Sequence, residues 1–441
     1  MTAKKFNQEL LQFLQQSPTA FHAVSTMRTL LDAAGFEKLE EGDSWTLQPG
    51  SAYYVVRNDS SLIAFKTGRK NLLQHGLRIA GAHTDSPCLK VKPNPERISA
   101  GYVQLGAEVY GGALYAPWFD RDLALAGRVN YQTQKGLLKS VLIDTEKPIA
   151  VIPSLAIHLD RDVHTNRTLN PQKELAPVLM IDKAGADKAK KRSKSTFNFN
   201  DYLLGLVRKQ TNSRSASKIL AHELFFYDTQ APAMVGMQEE FIASARLDNL
   251  LSCFVACKSL IKSKHNHASL LVCNDHEEVG SMSTSGAQGP FLKSVLKRMA
   301  SMQSAEHDNL QRITSNSSLL SIDNAHGVHP NYLEKHDDQH RPVLNGGPVI
   351  KLNANQRYAS NSESVALFKS VCDKVRVPYQ SFVMRNDMAC GSTIGPITSA
   401  ETGINAIDVG VATFAMHSIR ELAGAADPYH LARVVTAYYD R

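Results

Sequence analysis

The sequence predicts an α/β protein: a mixed β-sheet flanked by helices, interrupted by an inserted β-rich domain. Three observations carry this. Short β-rich runs alternate with amphipathic helical segments up to about residue 96 and again after the middle of the chain. Between about 98 and 158 the pattern changes to hairpin-like runs separated by Gly, Asp and Lys turns. At 441 residues the chain also exceeds what one simple core accommodates, so two domains are expected.

QELLQFLQQ and AVSTMRTLLDAAG carry apolar residues at helical spacing, and Gly35 stops the second. AYYVVR (52–57), SLIAFKT (61–67) and LRIAGAH (77–83) are short and β-rich. AEVYGGA, GRVNYQT, GLLKSVLI and KPIAVIP are the strands of the insertion. The polar, basic tract from about 160 to 218 is expected as a long loop, mobile or used between subunits. Alternation then returns: ELFFYDT as a strand, LDNLLSCFVACKSLIKS as a helix, SLLVCNDHEE as a strand and QGPFLKSVLKRMAS as a helix. SSLLSIDNA, VIKLN, SVALFKSVCDKVRV, GINAIDVG and LARVVTAYYD complete the pattern. The expected division is 1–96 with 235–441 as one domain and 97–234 as the insertion.

Composition narrows the function classes. With 43% hydrophobic and 21% charged residues, the chain is too apolar to be disordered. The net charge of +7 is concentrated in KAGADKAKKRSKS (183–195), a block of the kind found in solvated loops. No RNP, zinc-finger or helix-turn-helix signature accompanies it, so no nucleic-acid partner is expected. No stretch approaches about eighteen uninterrupted apolar residues, so no membrane span is expected. The N-terminus lacks the apolar core of a signal peptide, and the six scattered cysteines form no CxxC pair. Reduced thiols in a cytoplasmic protein are the expectation.

Polar residues placed just after apolar strands deserve collection, because ligands of such sheets bind beyond the carboxyl ends of the strands. His83 and Asp85 follow a strand in IAGAHTDSP, and Asp248 opens a helix in ASARLDNL. Glu277 and Glu278 follow another strand in NDHEEVGS. SIDNAHGVHPN supplies Asp323, His326 and His329, and VGVATFAMHSIRE places His417 after a further apolar run. Singly these are weak signals, since a lone His or Asp there usually serves a turn. HDDQH (336–340) has no rigid apolar run behind it and is expected as a surface loop. HELFF and HEEVG lack the second histidine of HExxH, and neither a G-x-S-x-G elbow nor a P-loop occurs.

Jointly, two histidines and several carboxylates suit zinc, cobalt or manganese. One carboxylate can bridge two cations about 3.5–4 Å apart, and a shared water then becomes the nucleophile. The two adjacent glutamates would point to opposite faces of a continuing strand. Gly280 and its neighbours allow the backbone to leave the sheet there, so both acids can serve one site.

AHTDSP, RLDN, NDHEEVGS, SIDNAHGVHPNY, GPVIKLNANQRYAS, RNDMACGSTIGPI and VGVATFAMHSIRE together resemble, in order, the M18 family of metallo-aminopeptidases, typified by aspartyl aminopeptidase. The similarity spans nearly the whole chain. It implies a zinc-aminopeptidase-like catalytic domain with an inserted dimerisation domain, and two divalent metal ions per subunit. His83, Asp248 and Asp323 would hold one metal; Asp248, Glu278 and His417 would hold the other. Asp85 would orient His83, Glu277 would be the general base, and His326 would donate near the scissile carbonyl. Lys351, with His329 beside it, would line the pocket for an acidic first side chain. His158 would reach into a neighbouring subunit's site, in a homododecamer built from dimers. The substrates implied are peptides with a free, preferentially acidic N-terminus. A related deacylase acting on N-acylated amino acids, and a non-catalytic polyanion-binding assembly, stay open as alternatives.

Overall fold

A computed structural model describes residues 2–165, 167–182, 197–303 and 307–441. The lysine-rich block at 183–195 lies outside them. The described chain divides into two compact units. One comprises Met1–Ser86, Pro232–Met416 and Glu421–Arg441; the other comprises Pro87–Ala231 and His417–Arg420.

The first unit is built on a nine-stranded mixed sheet. Its spatial order is Glu37–Lys38, Ala52–Arg57, Ser61–Lys66, Ala268–Asn274, Leu77–His83, Ser318–Ile322, Asn405–Gly410, Val349–Leu352 and Gln380–Val383. Alternation along each strand sends neighbouring side chains to opposite faces. Leu62, Ala64, Leu271 and Leu320 join one apolar cluster, with Phe6, Leu10 and Phe254 from helices. Ile63, Phe65, Leu270 and Leu319 join a second, with Phe291 and Val295. Both faces are therefore covered, which explains why these strands are almost continuously apolar.

The strands Ala268–Asn274, Leu77–His83, Ser318–Ile322 and Asn405–Gly410 are mutually parallel neighbours. Their carboxyl ends lie along one edge, with His83 opposite Asn274 in register. A smaller five-stranded sheet runs Ala233–Val235, Phe241–Ser244, Glu421–Gly424, Ala412–Phe414 and Ala325–His326.

The second unit is an antiparallel six-stranded sheet. Its order is Leu138–Asp144, Leu123–Thr133, Ala216–Asp228, Cys88–Ser99, Tyr102–Tyr110 and Val178–Ile181. Two expectations are corrected here. The segment KPIAVIP makes only isolated bridges, Ala150 to Leu123 and Val151 to Val178; Pro148 and Pro153 have no N–H to give a ladder. The tract expected as one long loop contains the strand Val178–Ile181 and the helix Phe199–Gln210. Phe199, Leu203 and Val207 recur every four residues and bury one helical stripe in this unit's core.

Candidate metal centre

His83 ends the strand Leu77–His83 and is 2% exposed. Its Nδ1 donates to the backbone carbonyl of Asp85 at 3.0 Å, which makes Nε2 the acceptor nitrogen of the neutral ring. Nε2 lies 3.3 Å from Asp248 Oδ1 and 3.5 Å from Asp323 Oδ1.

Three elements deliver these acids. Asp248 stands at the start of the helix Leu247–Lys262, whose preceding residue Arg246 is left-handed at φ 60°. The Arg246 side chain donates to the carbonyls of Leu14, in the last turn of the helix Ala3–Gln15, and of Ser17, just past it, which anchors the turn to that helix end. The Asp248 N–H donates to Glu421 Oε2 at 2.9 Å, and Ser86 Oγ donates to the Asp248 carbonyl at 2.6 Å. Asp323 follows the strand Ser318–Ile322, and its N–H donates to the Val409 carbonyl at 2.8 Å. A Cβ on Gly410 would fall 1.8 Å from the Asp323 carbonyl oxygen, so only glycine admits this approach.

The glutamate pair sits where the chain leaves the sheet. The strand ends at Asn274, His276 is left-handed at φ 65°, and Glu277–Val279 form one tight helical turn closed by Gly280 at φ 97°. Ser281 is also left-handed at φ 61°. Asp85 clasps this turn: Oδ1 accepts the Glu277 N–H and Oδ2 the Glu278 N–H, each at 3.1 Å. Asp85 Oδ1 also lies 3.4 Å from His83 Nδ1. One carboxylate thus ties the histidine strand to the glutamate turn.

The ligand atoms of His83, Asp248 and Asp323 lie within 4.8 Å of one another, as do those of His83, Glu277 and Glu278. Donors about 2.0–2.2 Å from a tetrahedral zinc are about 3.3–3.6 Å apart, a range that includes the 3.3 and 3.5 Å separations measured from His83 Nε2. Asp323 Oδ1 is buried and accepts no hydrogen bond. Five carboxylates (Asp85, Asp248, Glu277, Glu278 and Asp323) face the His83 imidazole and the Lys351 ammonium, an excess of negative charge that divalent ions would balance. The donor set fits such ions.

Without them, protons take up the charge. Burial pushes Glu277 up to about 7; His83 opposes this, while Asp323, Asp85 and Asp248 add to it. Burial, then Asp248, holds Glu278 well above the usual carboxylate range. Burial would raise Asp323 too, but Lys351 and His83 more than offset it and keep this carboxyl low. His83 is raised because Asp248, Asp323 and Asp85 outweigh its burial.

Lys351 lies on Val349–Leu352, which is flanked by strands on both sides and is not an edge. It is 2% exposed. Its Nζ donates to Asp323 Oδ2 at 3.0 Å and to the Asn324 carbonyl at 3.1 Å, and it sits 5.1 Å from the Tyr358 ring centre. The acid that Lys351 meets within the chain is therefore Asp323.

The remaining candidates have the following surroundings. The His326 ring packs edge-on against Phe382. His329 packs against Tyr332 and Phe414, and its N–H donates to His336 Nε2, the first residue of the HDDQH loop. His158 and His417 belong to the second unit. His158 is exposed, amid exposed Leu155, Ile157 and Leu159. His417 is left-handed at φ 68°, and its Nδ1 donates to the Gly112 carbonyl at 3.2 Å. Sequence reasoning gave no role to Glu421, Ser86 or Arg246, although all three stand in or beside the quoted motifs.

A mixed sheet presenting a histidine among acids at its carboxyl edge defines the class, an α/β protein with a candidate metal-binding site. The particular family follows from comparison. The model of the family described as aminopeptidase I zinc metalloprotease (M18) matches residues 13–439, and the chain belongs to that family of aminopeptidases. It is 53% identical over 432 residues to a probable M18 family aminopeptidase 2 of Ectopseudomonas mendocina, covering 98% of this chain and 97% of that one. A probable M18 family aminopeptidase 2 of Pseudomonas aeruginosa is 52% identical, with 99% and 98% covered. Among solved structures, the Ape4 and Nbr1 complex superposes at TM-score 0.94 and 36% identity, over 99% of this chain and 86% of that one. The S. cerevisiae mApe1 dodecamer superposes at TM-score 0.83 and 29% identity, over 98% and 95%. Among the described residues, no helix is long and apolar enough to cross a membrane.

Proposed function

We propose that this aminopeptidase uses two divalent metal ions, zinc before cobalt or manganese, to remove N-terminal residues from peptides, acidic ones preferred. The observation that carries the reading is the convergence of His83, Asp248 and Asp323 beside the glutamate pair. His83, Asp248 and Asp323 would hold one ion, and Asp248, Glu278 and His417 the other. When bound, the ions supply positive charge that acidifies water and polarises the scissile carbonyl.

The protein residues divide the remaining work. Glu277, on the turn whose backbone Asp85 holds, takes a proton from the attacking water and passes it to the leaving amine. Asp85 orients His83 and holds the turn that carries Glu277. His326 donates toward the carbonyl. Lys351, with two of its three N–H groups engaged, and His329 line the pocket for the acidic side chain.

The second unit is read as a dimerisation domain. Exposed Leu155, Ile157 and Leu159 around His158 form an apolar stretch suited to burial against another copy, which would carry His158 to that copy's site. A homododecamer built from dimers follows by analogy with the mApe1 dodecamer. Six free cysteines, four of them buried, suit a reducing cytoplasm.

A panel of aminoacyl amides tests the activity in protein loaded with zinc, cobalt or manganese. Cleavage of free N-termini, fastest for Asp and Glu, with N-acetylated controls untouched, is expected. Cleavage of the acetylated substrates instead would replace the aminopeptidase reading with a deacylase.

A further inference from the structure

Resting on the metal-site reading above, we infer that Lys351 is a positioning residue for Asp323, holding one carboxylate oxygen so that the other is presented beside His83 as a single-oxygen ligand.

The strand places the ammonium where it has little choice of partner. Val349 and Lys351 point to the same face of Val349–Leu352, while Ile350 points into the main core. On that face Val349, Tyr358 and Phe382 form an apolar cluster, so the lysine stem is packed and its head cannot swing into water. A buried ammonium needs acceptors, and it finds them in Asp323 Oδ2 and the Asn324 carbonyl.

Both acceptors belong to the turn that follows Ser318–Ile322, so one cation fixes backbone and side chain together. With Oδ2 held at 3.0 Å, the Asp323 carboxylate cannot turn about its Cβ–Cγ bond without losing a charge-assisted hydrogen bond. Oδ1 is left 3.5 Å from His83 Nε2, accepting no hydrogen bond. Free of Lys351, Asp323 could offer both oxygens to one ion and alter its coordination number.

This role is separable from binding an acidic substrate side chain. Lys351→Met keeps the stem and removes the charge. In the full-length protein it should weaken zinc affinity about 10–100-fold, measured by competition with a chromophoric chelator. It should also change the visible absorption of the cobalt-loaded protein, as the coordination of Asp323 changes. kcat should fall for neutral as well as acidic substrates, so the loss is not confined to the acid-binding role proposed above. In an Asp323→Asn background, Lys351→Met should produce no further loss of zinc affinity.

Unchanged zinc affinity and cobalt spectrum, with KM raised for acidic substrates only, would overturn the inference and leave Lys351 as a specificity residue. If Lys351→Met does not fold, Lys351→Arg decides: the cation stays but its donors move, so an unaltered cobalt spectrum overturns the inference. A wild-type chain that takes up no metal overturns both readings. A metal-loaded wild type beside an unaffected variant overturns only this one.

Discussion

Asp85 Oδ1 accepts the backbone N–H of Glu277 at 3.1 Å, and Asp85 Oδ2 does the same for Glu278. The acid two residues beyond the buried histidine therefore positions the glutamate turn as well as the imidazole. Asp85→Asn keeps the shape but leaves one acceptor oxygen for two N–H donors. The variant should lose about 10–100-fold in kcat together with weaker metal binding. Steady-state kinetics at saturating zinc, paired with metal titration, would check this. Wild-type values for both would remove Asp85 from the positioning of the turn.

Glu277→Gln tests the proton carrier. The amide keeps the volume and the Asp85 contact, which uses the backbone, but cannot take a proton. Turnover should fall by about 10²–10⁴ with both metals retained. Metal analysis and activity on the same preparation separate the two effects. Near-normal turnover would reassign the base.

Asp248→Ala tests the bridging acid. Its carboxylate stands 3.3 Å from His83 Nε2 and its N–H is held by Glu421. Removal should empty both metal positions and abolish activity, and full occupancy after dialysis would rule out a bridging role.

Much of this architecture is legible in local pattern. The runs at 52–57 and 77–83 coincide with the strands Ala52–Arg57 and Leu77–His83, because strands of a sheet covered on both faces are written as nearly unbroken apolar segments. The departure of NDHEEVGS from its sheet is legible in Gly280. The helix Phe199–Gln210 was hidden by the polar composition around its narrow apolar stripe. At the site, residue types marked the chemistry, but partnerships formed across the sheet did not show. Lys351 lies 28 residues from Asp323, and Glu421 lies 173 from Asp248. Each pair is made by neighbouring strands or turns that no local spacing encodes. Left-handed Arg246 and His276 were equally invisible, since nothing in a charged or imidazole side chain announces a positive φ.

Asp427 gives a pH test away from the metal centre. It opens the last helix, Asp427–Tyr439, and is fully buried. Its oxygens accept the N–H groups of Asn345 at 2.6 Å and Gly347 at 2.9 Å. Burial pushes the carboxyl up to about 7, against these two hydrogen bonds, which favour the charged form. An unfolded aspartate titrates near ~3.9, so between the two values the folded state binds the extra proton. The stabilisation from this group is complete below about pH 4 and is lost as pH rises through about 7. Asp427→Asn cannot ionise, so its cost relative to wild type should be greatest near pH 4. That cost should shrink by at most about 1.4 kcal/mol per pH unit and level off above about 7. Denaturant midpoints of both proteins at pH 5, 6, 7 and 8 measure it. A constant difference across that range would mean that Asp427 is already ionised in the fold, held by the two backbone donors.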